Sequence, residues 1–429
     1  MTYLSPAATN SGAAASSSAS LPQPSSVAPL FTTLLEKIDP ASITYTSTSD
    51  LEDPVPIISD PHTRQVLESA AKLLRAGQVV GMPTETVYGL AANALDSVAA
   101  KRIFEAKNRP QDNPLIVHVS SLKMLRSMLK DNTIPEVYTE LIKAYWPGAL
   151  TLLFPRSALI PNEITCAQPT VAVRFPSHPI TRALITACEL PLAAPSANSS
   201  GKPSPTLASH VMDDLAGKIP MIIDGGQCSF GIESTVVDGL RVPPAILRPG
   251  GVTYEQIRMV KGMEGVQVYK KHFTDVAMEQ TPTTPGMKYR HYSPEAEVVL
   301  VEYGASSDVG SKTSDATTAQ YSVILKEIDR LKKEGKRRFG ILRTSFSLTA
   351  PLISRESSSS LPESQPREVI EFPLGQGSKP EDVARELFKG LRYLDGQKVD
   401  CIFVEGISED DEGLAVMNRL RKAASRTIS

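Results

Sequence analysis

The sequence predicts an α/β protein built as two units in tandem. Three observations carry that reading. From about Pro61 onward, short apolar runs alternate with stretches of helical period. Many of the runs end in polar or turn-forming residues, where such sheets place functional groups. A segment of mixed polarity with three clustered prolines, Pro282, Pro285 and Pro294, separates a first unit of roughly 200 residues from a shorter one. With 429 residues, 41% of them hydrophobic, the chain is long enough for two or three domains.

Residues 1–60 are expected to be a disordered tail. Its first 35 residues are rich in Ser, Ala and Pro and carry no charged side chain before Glu36. The tail lacks the charged start and apolar block of a secretory leader and the arginines of a mitochondrial presequence, which favours a cytoplasmic protein. No apolar run approaches the roughly 18 residues of a membrane span. Residues 64–76 have helical period, and 78–82 form a strand running into Pro83-Thr84-Glu85-Thr86-Val87-Tyr88-Gly89. Asp96 caps a helix whose Ala99, Ala100, Ile103 and Phe104 form an apolar stripe and which ends at Lys107. Strands are expected at 115–119, 150–154, 171–175, 190–194, 221–223, 234–237 and 245–247, with helices at 135–146, 179–188 and 254–260. Residues 262–294 read as a linker. The second unit offers strands at 297–301, 338–342, 369–372 and 401–404 and helices at 322–333, 380–394 and 414–424. Two low-complexity inserts, 306–320 and 344–367, read as surface loops.

Composition excludes several functions. A net charge of -2 gives the molecule no overall attraction to nucleic acid. Cys166, Cys188, Cys228 and Cys401 form no CxxC, so neither a zinc site nor a disulfide framework is expected. Neither a Walker-type phosphate loop nor a GxGxxG fingerprint is present. A nucleotide would then be held by scattered side chains.

Two polar stretches supply them, Lys107-Asn108-Arg109-Pro110 and Pro195-Ser196-Ala197-Asn198. Pro110 biases Arg109 toward an extended backbone. In such a backbone alternate residues share a face, so Lys107 would align with Arg109 and Ser196 with Asn198. Two cations and two neutral hydrogen-bonding groups suit a nucleoside triphosphate. The candidates are Lys107, Arg109, Asn113, Ser196, Asn198, Ser204 and Arg248. Arg174 lies in the apolar run Val171-Ala172-Val173-Arg174-Phe175 and needs an anionic partner, either an internal Asp or Glu or a ligand carboxylate. By position alone, His118 is an ordinary core histidine and Ser234-Thr235 a simple strand-edge pair.

The segments 83–89, 107–114, 195–198, 234–238 and 247–250, in that order, resemble the YrdC-like family. Pro285-Gly286-Met287-Lys288-Tyr289-Arg290-His291-Tyr292-Ser293-Pro294 and the run GLAVMNRLRKAAS at 413–425 resemble its long two-domain form. That resemblance implies a twisted mixed sheet with a concave basic face at 61–261, a linker at 262–294, and a small Rossmann-like accessory domain at 295–429. It implies synthesis of threonylcarbamoyl-adenylate and pyrophosphate from L-threonine, bicarbonate or CO2, and ATP carrying Mg2+, with no protein-built metal site. A downstream threonylcarbamoyl-transferase complex would place the group on the tRNA adenosine beside the anticodon, and this chain's own tRNA contact would be weak or indirect. Lys107 and Arg109 would be catalytic and would bind ATP together with Asn113, Thr170, Ser196, Asn198, Ser204 and Arg248. Thr84, Thr86, His118, Arg174, Ala194 and Ser234 would hold threonine, and Tyr289, His291 and Tyr292 would form a lid. The competing expectation is a double-stranded RNA-binding module without catalysis, opposed by the near-neutral charge and by the lack of stacking aromatics near the basic motifs.

Overall fold

Helix Pro61–Arg75 shows how local sequence becomes structure here. Asp60 caps it by accepting from the Thr63 amide at 2.8 Å, and Pro61 sits where a missing N–H costs nothing. Val66, Leu67, Ala70, Ala71 and Leu74 then fall on one buried stripe. The computed structural model describes residues 31–47, 50–271, 273–274, 291–302, 314–344 and 368–429.

The first unit contains strands β1 (Leu34–Lys37), β2 (Ile43–Tyr45), β3 (Pro56–Ile58), β4 (Val80–Met82), β5 (Gly89–Asn93), β6 (Ile116–His118), β7 (Leu150–Pro155), β8 (Thr170–Arg174), β9 (Leu192–Ala193), β10 (Met221–Asp224), β11 (Thr235–Asp238), β12 (Ala245–Arg248) and β13 (Gln267–Val268). Eleven of these make one mixed sheet in the order β1-β10-β4-β5-β9-β6-β8-β7-β11-β12-β13, while β2 and β3 form a separate hairpin. Parallel and antiparallel pairs alternate irregularly along it, so strands of different direction bring their ends to one place.

The disordered tail was expected to reach residue 60, and the structure corrects this. β1 pairs in parallel with β10, and β2–β3 covers helix Pro179–Cys188, where Arg182 lies 3.7 Å from the Tyr45 ring centroid. The apolar residues Leu34, Leu35, Ile38 and Ile43 carried the missed signal; residues 1–30 lie outside the described residues. Strand β5 and helices Leu122–Met128 and Ala208–Leu215 were also not foreseen.

The second unit is a five-stranded sheet, parallel throughout, in the order β16-β15-β17-β14-β18, with β14 (Glu297–Val301), β15 (Phe339–Arg343), β16 (Val369–Pro373), β17 (Cys401–Glu405) and β18 (Arg426–Ile428). Helices Pro380–Gly396 and Gly413–Ala423 cover one face and helix Ser314–Lys333 the other, giving three layers. That last helix begins inside the expected 306–320 loop. Residues 345–367 lie outside the described residues.

The units share their cores. Val87, Ile232 and Tyr292 pack into the second unit's cluster, and Leu414 packs into the first unit's. At Gly231 (φ +73) an added Cβ would lie 2.3 Å from the Arg385 carbonyl oxygen, so the helix backbone approaches where only glycine fits. Among the described residues, no helix is long and apolar enough to cross a membrane.

Candidate active site

Six strand ends converge on one cleft. Thr84 and Thr86 come from the β4–β5 turn, His118 ends β6, Arg174 ends β8, Ala194 to Ser196 follow β9, Ser234 precedes β11, and Arg248 ends β12. Parallel register places His118 beside Arg174. Arg109, Val87, Gly89, Ile116, Glu233, His291 and Tyr292 complete the lining.

All six proposed threonine ligands, Thr84, Thr86, His118, Arg174, Ala194 and Ser234, line this cleft. Thr84 Oγ1 donates to the Val87 carbonyl at 2.6 Å and lies 2.9 Å from Thr86 Oγ1, which fixes the turn. Arg174 has the internal partner that sequence left open, since its Nη2 lies 2.7 Å from Glu85 Oε1. It also donates to Thr86 Oγ1 at 2.8 Å and to the Gly148 carbonyl at 3.1 Å. Burial acts to raise the Glu85 carboxyl, but Arg174 and the Ser177 amide hold it below its ordinary range. A guanidinium has five N–H donors, so Arg174 can take a second carboxylate without releasing Glu85. His118 is neutral: burial, with Arg174 adding to it, pushes it down to about 3. Ser234 Oγ lies 2.7 Å from Thr151 Oγ1 and accepts from Arg248 Nη2 at 3.1 Å.

The proposed ATP ligands divide. Arg109, Ser196 and Arg248 line the cleft. Arg109 donates to the carbonyls of Asn113 at 3.2 Å and Pro114 at 3.0 Å. Burial brings both Arg109 and Arg248 down to about 10; the charge of Arg248 adds to the depression at Arg109, and those of Arg419 and Arg174 add to that at Arg248. Lys107 and Asn198 lie behind the wall. Lys107 closes helix Ser97–Lys107 and Asn108 follows in the left-handed region (φ 51), so Lys107 and Arg109 do not share the extended face expected of them. The Lys107 ammonium donates to the carbonyls of Ser196 and Asn198, and burial lowers its pKa well below the ordinary range. Asn198 Nδ2 ties the carbonyls of Ser199 and Lys202 at 2.8 and 2.9 Å, and Ser204 Oγ donates to Glu233 Oε1 at 2.6 Å. Thr170 begins β8, about 13 Å from Arg174 at 3.3 Å per residue, and Asn113 precedes β6 by three residues. Asn113 Oδ1 and Thr170 Oγ1 are both buried without a hydrogen-bond partner among the described residues. Of the lid residues, His291 and Tyr292 line the cleft and Tyr289 lies outside the described residues.

Two family models cover most of the chain. One, described as telomere recombination, matches residues 72–250; the other, described as threonylcarbamoyl-AMP synthase, C-terminal domain, matches 252–425. The threonylcarbamoyl-AMP synthase of Schizosaccharomyces pombe is 44% identical over 86% of this chain and 90% of its own length. That of Pyrococcus abyssi is 46% identical over 84% of this chain and 94% of its own. The chain belongs to the threonylcarbamoyl-AMP synthase family. The solved structure of P. abyssi Sua5 complexed with L-threonine superposes with a TM-score of 0.72 at 40% identity, covering 92% of this chain and all of that one. For this family member, the large mixed sheet and the second α/β unit agree with the sequence reading.

Sequence reasoning missed the acids and the second unit's contribution. Glu85 sits inside a quoted motif, yet its threonine neighbours drew the attention. Glu233 pairs with Arg419 of helix Gly413–Ala423 at 3.0 Å and is held down at about 2 by that arginine and by Arg248, against the opposing effect of burial. The signal for Arg419 was present: an arginine between Val416, Leu420 and Ala423 on an apolar stripe.

Proposed function

We propose that this cleft joins L-threonine, bicarbonate or CO2, and ATP into threonylcarbamoyl-AMP, releasing pyrophosphate and, from bicarbonate, water. The observation that carries this assignment is that one cleft brings together a set of groups suited to an amino acid and a set suited to phosphate. One end offers Arg174, neutral His118, Thr86 and Ser234, a set suited to an amino acid with a hydroxyl. Outside that lining, Asn113 Oδ1 and Thr170 Oγ1 are buried and have no hydrogen-bond partner among the described residues, and they would meet the nucleoside. Arg109, Arg248 and Ser196 supply the phosphate contacts.

In this arrangement Arg174 pairs with the threonine carboxylate in addition to Glu85, and Thr86 and Ser234 bond its polar groups. The amine adds to the CO2 carbon, and the resulting carbamate oxygen attacks the α-phosphorus in line. The bond to the β-phosphate oxygen breaks, and Arg109 and Arg248 stabilise charge on the leaving pyrophosphate. No covalent enzyme intermediate is required; holding the reactants together supplies much of the acceleration. Mg2+ enters on the ATP phosphates. Among the described residues no three His, Cys, Asp or Glu converge as a cation cage, and Glu85 and Glu233 are committed to arginines. His291 and Tyr292 line the cleft and would act as a lid that excludes water from a hydrolysable product. The product passes to a threonylcarbamoyl-transferase complex acting on tRNA.

Pyrophosphate release with Mg-ATP and bicarbonate tests the assignment. Release is expected with L-threonine and not with valine, and is expected to be lost in Arg109→Ala. Release independent of threonine would overturn the assignment.

A further inference from the structure

The segment 196–204 carries Ser196 on the cleft and is gripped from three sides. Lys107 holds its beginning from within the first unit. Its middle and end are held through arginines of the second unit. Arg392 Nε donates to the Pro203 carbonyl at 2.9 Å, and Arg392 Nη2 reaches Asp214 Oδ2 at 2.7 Å. The same Asp214 oxygen accepts from the Ser199 amide at 3.2 Å, and its side chain is only 2% exposed. Arg419, fully buried, donates from Nε to Glu233 Oε2 at 3.0 Å, while the other oxygen of that carboxylate accepts from Ser204. Arg419 also donates to the Pro249 carbonyl, next to Arg248. Each arginine therefore makes contacts in two directions, which a flexible ammonium cannot reproduce.

We propose that Arg392 and Arg419 are positioning residues for the synthesis, through which the second unit shapes the phosphate wall of the cleft. The proposal rests on the reading that Ser196 and Arg248 face the triphosphate. Cutting either hold frees the segment 196–204 without touching Arg174, which is fixed by Glu85, Thr86 and Gly148.

The test uses the full chain in four forms: wild type, Arg392→Met, Arg419→Met, and Gln227→Ala. The last removes an exposed bond between the units (Gln227 Nε2 to Glu386 Oε1, 2.9 Å) that does not touch the segment. Amide hydrogen exchange over 196–204 is expected to rise about ten-fold in both arginine variants, with β6 and β8 unchanged. The KM for ATP is expected to rise about ten-fold while that for threonine stays within about two-fold. Arg392→Lys, which keeps the charge and loses the fork, should fall between wild type and Arg392→Met, and it serves if the methionine variant folds poorly. Unchanged exchange at 196–204, a change shared by Gln227→Ala, or an equal rise in both KM values would overturn the proposal. Absence of threonine-dependent pyrophosphate in wild type would instead remove the assigned activity, and the exchange data would still decide whether these arginines hold the segment.

Discussion

The threonine wall of the cleft, with Thr84, Thr86, His118, Arg174 and Ser234, rides on strand ends, whereas the phosphate wall, apart from Arg248 at the end of β12, hangs on the loop 195–204 and on Arg109. Strand register aims the first set directly, since His118 and Arg174 are neighbours in a parallel pair. The second set is aimed by hydrogen bonds that Lys107 donates and that Asp214 and Glu233 accept, and two of those three are themselves held by the other unit. Rigid scaffolding thus meets the amino acid, and a surface braced from outside meets the nucleotide. The threonine wall should respond to mutation mainly in stability, the phosphate wall mainly in kinetics.

The strongest break of this contrast is Arg174→Ala. It strands the buried Glu85 carboxylate, and removing one partner of such a pair costs about 3–5 kcal/mol. Denaturant titration should show a lower midpoint at unchanged slope, together with lost synthesis. Glu85→Gln, which leaves no unpaired anion, should cost less. Equal stability of Arg174→Ala and wild type would mean that the pair is solvated and the wall less rigid than described. Arg109→Ala tests the other wall. It should lower kcat/KM by on the order of 100-fold, the scale of one lost charge-stabilising donor, and barely move the denaturation midpoint. A large midpoint shift would place Arg109 with the scaffold.

Acid sharpens the contrast next. His118 in the threonine wall and His291 in the lid are both pushed by burial to about 3. The unfolded chain binds protons at these histidines from about pH 6.5 downward, and the folded chain does not. Their contribution to stability is therefore complete above pH 6.5 and lost progressively as pH falls toward 3. Each group contributes a slope of about 1.4 kcal/mol per pH unit within that window. His118→Gln should flatten the stability profile by that amount between pH 6 and pH 4 as a rough range, and an unaltered slope would mean that His118 protonates in place.

The same contrast explains what could be read in advance. Strand-end residues were legible because apolar runs locate a strand and its last polar residue marks the sheet edge, as with His118 and Arg174. Loop residues were legible in type and not in direction. Lys107 and Asn198 were recognised, yet the left-handed Asn108 turned the ammonium onto carbonyls instead of the cleft. Long-range partners such as Arg392 with Asp214, 178 residues apart, leave no local pattern beyond a charged residue beside an apolar stripe. The tail failed for another reason: composition over 1–35 outweighed a four-residue edge strand at Leu34–Lys37.

Thr170 gives the finest test, because the two descriptions of it differ by one hydrogen bond. It begins β8, on the face that Arg174 shares four residues later, and its Oγ1 is buried without a partner among the described residues. If the nucleoside end of ATP satisfies that atom, Thr170→Val should raise the KM for ATP about five-fold, the equivalent of about 1 kcal/mol, with the KM for threonine unchanged. Thr170→Ser should retain the bond and stay near wild type. If the hydroxyl is merely an orphan, valine removes an unsatisfied polar group, and the protein should become slightly more stable with unchanged kinetics. That second result would leave the phosphate contacts of Arg109, Ser196 and Arg248 as they are and move the nucleoside away from the start of β8.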